Sequence, residues 1–223
     1  MNELRSSGLE KDRITMEKNS FENPYSIKKK AMLDAIPEQK RREIDDFFSL
    51  PKEQRYIKPI KRKMKPGLKA GDIFAMHLPE DVYLYGKIIK KAENLPMIED
   101  DFYIVLIGNL CTKELENPIF SIDKNNYLLG PWIISDSLWR NGKCFTVGNC
   151  PVVEDKLDIG FYKSRLAPGK DGKLHEAGFF MDIHGNKLER EPDIFELCAY
   201  ITIDGIEHDI KTQIILGNLG VSE

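Results

Sequence analysis

Apolar residues recur along this chain with two different periods, and the change of period divides it. From Asn23 to Leu50 the spacing is helical. In "ENPYSIKKKAMLDAI" an apolar stripe runs through Ile27, Ala31, Ala35 and Ile36, with Asn23 suited to the N-cap and Pro24 to the first helical position. "PEQKRREIDDFFSL" predicts a second helix anchored by Ile36, Ile44, Phe47 and Phe48, and a third short turn follows Pro51. The stretch "KPIKRKMKPGLK" is basic and broken by Pro and Gly, which is linker chemistry. Residues 1–20 are polar and mixed in charge, so they are expected to be disordered. The chain thus divides into a tail over 1–20, a helical extension with a basic linker over 21–65, and a β-rich domain over 66–223.

Beyond Gly71 the pattern becomes that of strands. Asp72 to Leu78 and Val82 to Lys90 flank the turn Pro79-Glu80-Asp81. In the first run Ile73, Ala75 and His77 point one way, and Phe74, Met76 and Leu78 the other. Both faces are mainly apolar, which predicts burial on two sides. "DFYIVLIG", Asp101 to Gly108, reads the same way. Gly86 beside Tyr85 suits a bend or a close approach. "YLLGPWIIS", "GKCFTVG" and "DIGFYKS" supply three more strands, "AGFFMDIHGNKLER" a hairpin turning at His184 to Asn186, and "FELCAYITI" a further strand. Ile206, Ile210 and Ile214, with a cap at Asp204 and a stop at Gly217, predict a C-terminal helix. The expected fold is α+β and mainly β: a bent or barrel-like antiparallel sheet with a C-terminal helix, preceded by the helical N-terminal extension.

Composition narrows the class. A chain of 223 residues with 31% charged and 41% hydrophobic residues is an ordinary globular one that can bury a sizeable core. The N-terminus has no apolar core of signal-peptide length, and no later run approaches about 18 uninterrupted apolar residues. The expectation is a cytoplasmic protein with no membrane partner. Cys111, Cys144, Cys150 and Cys198 then read as free thiols. The net charge of −3 hides an asymmetry: residues 1–70 carry 18 Lys/Arg against 11 Asp/Glu, a balance of +7, and the remainder has a balance of −10. An acidic domain repels nucleic-acid phosphates and attracts a basic protein, although acidic surfaces also serve solubility alone.

Candidate chemistry is sparse. Asp182-Ile183-His184-Gly185-Asn186 resembles the first metal-binding block of calcineurin-like metallophosphoesterases, which would make the chain a metal-dependent phosphoester hydrolase. The later blocks of that family are missing: no "GNH" or "GHxH" occurs, and His208 is the only histidine after His184. A β-turn using Gly185 and Asn186 explains the same residues. Cys144 and Cys150 do not have a close-paired zinc spacing, and "GKDGKL" opens no helix that would cradle a phosphate. No cofactor or metal is therefore expected. The basic run Lys58, Lys61, Arg62, Lys63, Lys65 and Lys69 offers a nucleic-acid arm, but only Tyr56 accompanies it as a stacking aromatic, and a solvated linker accounts for it.

The opening hairpin carries a resemblance. Lys69, Gly71-Asp72-Ile73-Phe74-Ala75, Leu78-Pro79 and Tyr85-Gly86-Lys87-Ile88 resemble the first hairpin of the immunity protein 26 family. "LGPWIISDSLWRNGKCFTVGN", Leu129 to Asn149, is similar to that family's next recognisable piece, and the likeness extends over roughly Lys65 to Gly217. The resemblance implies a mainly β immunity protein of a bacterial polymorphic toxin system, which binds and neutralises a toxin encoded beside it. Some members also carry a phosphotriesterase label, and the family pattern supplies no catalytic residues to carry over. With an acidic domain, the cognate toxin is expected to be a basic, nuclease-like protein. Interface hot spots favour aromatic and charged side chains, which makes Tyr83, Tyr85, Trp132 and Trp139 candidates together with Glu99, Asp100 and Asp101. The aromatics lie in strand patterns, so core packing is the competing explanation for them.

Overall fold

The computed structural model describes residues 23–60, 67–96, 98, 101–118, 122–152 and 157–219. The tail expected over 1–20, the linker residues 61–66 with the expected boundary, and Glu99 and Asp100 lie outside the described residues.

Three helices come first: α1 Pro24–Asp34, α2 Glu38–Ser49 and α3 Lys52–Arg55. Asn23 caps α1 as its position suggests, with its side chain accepting from the Ser26 N–H at 2.9 Å. Proline at the first position of α1 loses no hydrogen bond, because that N–H has no helical partner. Ile36 and Ile44 are the buried anchors of this region, and Ile57 follows them into the core.

The strands are β1 Asp72–His77, β2 Tyr83–Lys91, β3 Phe102–Thr112, β4 Tyr127–Ser135, β5 Phe145–Asn149, β6 Ile159–Lys163, β7 Leu166–Pro168, β8 Leu174–Glu176, β9 Phe179–Asp182, β10 Lys187–Leu188 and β11 Ile194–Leu197. A one-turn helix, α4 Ser137–Arg140, reverses the chain between β4 and β5, and α5 Ile203–Leu216 follows β11. The fold is α+β and mainly β, with the helical N-terminal segment and the helix after β11 that the sequence predicts. The strands form three groups: a five-stranded antiparallel sheet in the order β4-β3-β2-β1-β5, a four-stranded sheet in the order β10-β9-β6-β11, and the ribbon β7-β8. In the second sheet β11 runs parallel to β6. The turn of the β9-β10 hairpin lies between Asp182 and Lys187, as the Gly-Asn pair suggests.

The five-stranded sheet is covered on both faces, which is why its strands lack a polar side. Phe74, Met76, Leu84, Val105, Ile107, Trp132 and Ile134 form one core with Trp139 and with Ile206 and Ile210 of α5. The alternate residues Ile89, Ile104, Leu106 and Ile133 form a second core with Ile159, Phe161, Met181 and Ile194 of the smaller sheet. Period-two alternation thus sends neighbouring apolar residues into different cores. Two boundaries differ from expectation. Thr202 rather than Asp204 caps α5, its side chain accepting from the Gly205 N–H. The strand read over "FELCAYITI" stops at Leu197, because the chain then turns to bridge Tyr200 to Ile133 and enter α5.

Gly86 is a close approach. A Cβ there would meet a Phe74 ring atom at 2.5 Å and Ile107 Cδ1 at 2.8 Å, next to a register shift between Leu84 and Gly86. Phe74 is fully buried and cannot yield freely. The variant Gly86→Ala is therefore expected to lose about 1–3 kcal/mol in urea unfolding; an unchanged midpoint would mean that the core relaxes around the methyl group.

Candidate functional site

Of the residues predicted to form an interface, those described are divided between core and surface. Tyr85 is fully buried, and its hydroxyl lies 3.0 Å from Thr112 Oγ1 and accepts from the Glu116 N–H at 2.8 Å. Trp139 is 1% exposed, donates to Thr146 Oγ1 at 3.1 Å and meets the Phe74 ring edge-on at 5.0 Å. These two rings are core, the competing explanation raised above, and a contact surface has to be built from other residues. Tyr83 is half-buried and stacks on His77 with ring centroids 4.7 Å apart. Asp101 is exposed at the start of β3, with Arg140 3.3 Å away. Trp132 belongs to the core, but it also lines a groove.

Asp182 and His184 are turn chemistry. One Asp182 carboxylate oxygen accepts from the backbone N–H groups of His184 and Asn186, each at 2.8 Å, and the other from Asn186 Nδ2 at 2.9 Å. These bonds hold the Asp182 carboxyl below the usual carboxylate range, even though burial works against them. His184 Nδ1 lies 2.8 Å from Lys90 Nζ. Among the described residues no group of three or more His, Cys, Asp or Glu side chains is placed to hold a metal ion. No disulfide joins the cysteines among the described residues. Burial pushes the Cys111 thiol up to about 11 and the Cys144 thiol higher still, which makes them packing groups and not nucleophiles. Of the basic arm, Lys58 is tied into the fold: its N–H donates to His77 O at 2.8 Å and its ammonium pairs with Asp81 at 2.5 Å.

A groove of about 140 Å³ with a polar side lies where α1, β4, β11 and α5 converge. Pro131, Trp132, Tyr200 and Ile201 form its apolar walls, and Tyr25, Glu196 and Asp209 its polar side. Each element brings its residue for a structural reason. β4 pairs on its outer side with Tyr200, and the Ile201 N–H donates to Ile133 O at 3.0 Å. β11 supplies Glu196, next to the buried Phe195. Asp209 flanks the buried Ile210 of α5. The side chains of Glu196 and Asp209 are only 20% and 13% exposed. Burial raises the Glu196 carboxyl above its usual range, although Lys29 and Lys28 pull it down. Tyr200 is 59% exposed and packs on Phe102 at 5.6 Å, so it forms the open lip.

Residues 69–172 match the model of the immunity protein 26 family. This stretch is therefore similar to the immunity protein 26 family, as its opening hairpin suggests. The match covers just under half of the chain, from the entry to β1 to the turn between β7 and β8. No curated protein matches, and neither does any solved structure. The immunity protein 26 stretch supplies Pro131 and Trp132 to the groove, while Tyr25, Glu196, Tyr200 and Asp209 come from outside it. Sequence reasoning missed Tyr25, Glu196, Tyr200 and Asp209. The available sign was Glu196 itself, a carboxylate in the middle of the apolar run "IFELCAY". No helix among the described residues is long and apolar enough to cross a membrane.

Proposed function

We propose that this protein is an immunity protein of a bacterial polymorphic toxin system, which binds a basic, nuclease-like toxin domain in the cytoplasm and neutralises it by contact, without catalysis of its own. The match of residues 69–172 to the immunity protein 26 family carries this reading. The balance of −10 beyond residue 70 supports a basic partner, because opposite charge speeds encounter and close ion pairs slow release. Asp101 and Tyr83 keep accessible atoms and stay candidates for the contact, and the acidic groove joins them.

Co-expression with the toxin domain encoded beside this chain is expected to restore growth, and the purified pair is expected to form a one-to-one complex. Its association rate should fall as salt is raised, since screening shortens the reach of the acidic surface to about 8 Å at physiological ionic strength. A toxin that neither binds the chain nor loses toxicity beside it would remove this function.

A further inference from the structure

Helix α1 is attached to the body through polar side chains. None of its residues is buried, and Ile27 and Leu33 are 53% and 39% exposed. Two lysines hold it. Lys28 Nζ lies 4.3 Å from the centre of the Phe195 ring, donates to Phe195 O at 2.6 Å and stands 4.0 Å from Glu196. Lys29 Nζ pairs with Asp209 Oδ1 at 3.2 Å. Tyr25 lines the same groove as Glu196. Both carboxylates touched by α1 line the groove described above.

We propose that this groove receives a lysine or arginine side chain of the partner protein, and that α1 is a strap whose Lys28 and Lys29 hold the two carboxylates until the partner's cation replaces them. The proposal rests on the immunity reading and names the surface that reading lacks. Two carboxylates this deeply buried on adjoining elements need a cation, because like charges in a poorly solvated site are costly. The chain's own ammonium groups show that the geometry accepts one. The apolar walls suit the rest of such a side chain: the exposed ring of Tyr200 suits a guanidinium, and Pro131 and Ile201 its methylene stem. Displacing α1 uncovers little apolar surface, since α1 buries no residue. A helix of 11 residues is marginal by itself, so the released segment keeps little order and regains chain entropy.

The test uses the full chain and octa-arginine as probe, titrated calorimetrically at low salt. Removing the strap's charges in Lys28→Ala/Lys29→Ala is expected to tighten binding about tenfold. Neutralising the groove in Glu196→Gln/Asp209→Asn is expected to weaken it about tenfold, the lower end of what a desolvated charge pair contributes. Glu114→Gln/Glu116→Gln, two exposed acids elsewhere, should leave it unchanged. Equal affinity in all variants, or an equal loss in the Glu114/Glu116 pair, overturns the groove. Tyr200→Ala, at an exposed position, provides the same readout should the double acid variant fail to fold; weaker binding supports the groove and unchanged binding counts against it. With the neighbouring toxin domain as second probe, full binding by Glu196→Gln/Asp209→Asn overturns the groove and leaves the immunity reading standing. Failure of the unmodified chain to bind that toxin overturns the immunity reading itself.

Discussion

Replacing Trp139 with alanine is expected to cost about 3–5 kcal/mol, the usual range for deleting a large buried aromatic. A domain of this kind is stable by only about 5–15 kcal/mol, so the variant should lose a large share of its margin and unfold at much lower urea. Trp139 sits in the one-turn helix between β4 and β5, and its ring plugs the core beneath α5. It meets Phe74 edge-on and approaches Tyr103 at 6.4 Å, while its indole N–H is satisfied by Thr146. Removal leaves a cavity that strands on both sides cannot close. Trp139→Phe keeps most of the packing and loses the hydrogen bond, for a smaller cost of about 1–2 kcal/mol. Urea unfolding followed by far-ultraviolet circular dichroism reads both, and a loss below about 1 kcal/mol for the alanine variant would show that the ring is not the plug described.

Glu207→Gln is expected to do the opposite and stabilise the protein above neutral pH. Glu207 lies on α5 and is 3% exposed. Neither carboxylate oxygen accepts a hydrogen bond of normal geometry among the described residues, and Arg55 Nε opposite is also without one. Burial pushes the Glu207 carboxyl up to about 7, against the pull of the Ile57 N–H, Arg55 and Lys143, with Asp204 adding to the rise. A carboxyl whose pKa is higher in the folded than in the unfolded chain binds its proton more tightly when folded. Stability therefore falls as pH rises from the ordinary value of 4.5 to about 7, and above that the loss is complete. At about 1.4 kcal/mol per unit, the penalty at pH 8 is on the order of 3 kcal/mol. An amide in the same place avoids the charge but is still short of partners, so a net gain of about 1–2 kcal/mol is expected at alkaline pH and little change near pH 4. Urea unfolding at a series of pH values checks this. Parallel curves for the two proteins would rule out Glu207 as the titrating group.

What the chain reveals before folding depends on how local the signal is. β4 begins and ends with its apolar run, and α1 begins at its Asn-Pro cap, because each is fixed by adjacent residues. Tyr85, Trp132 and Trp139 could not be sorted from surface aromatics in that way. Strands buried on both faces have no polar side to show which ring points outward. The Asp182 motif looked like metal chemistry because a tight turn and a metal ligand use the same residue types; the bonds from Asn186 and the His184 N–H decide between them. The groove was the least visible feature. Tyr25, Trp132, Glu196 and Asp209 come from four elements, and the contact of Lys29 with Asp209 joins residues far apart in sequence.

The placement of α5 also sets an order of assembly. β1 pairs with β5, so the large sheet is complete only once residue 149 has been made. Even then Phe74, Val105 and Trp132 still need Ile206 and Ile210 to cover them. During synthesis the ribosome thus holds out a finished sheet with both apolar faces bare until the smaller sheet is made, and with one still bare until residues 203–216 emerge, a state prone to aggregation. A truncation before α5 should therefore yield insoluble chain and not a smaller folded protein.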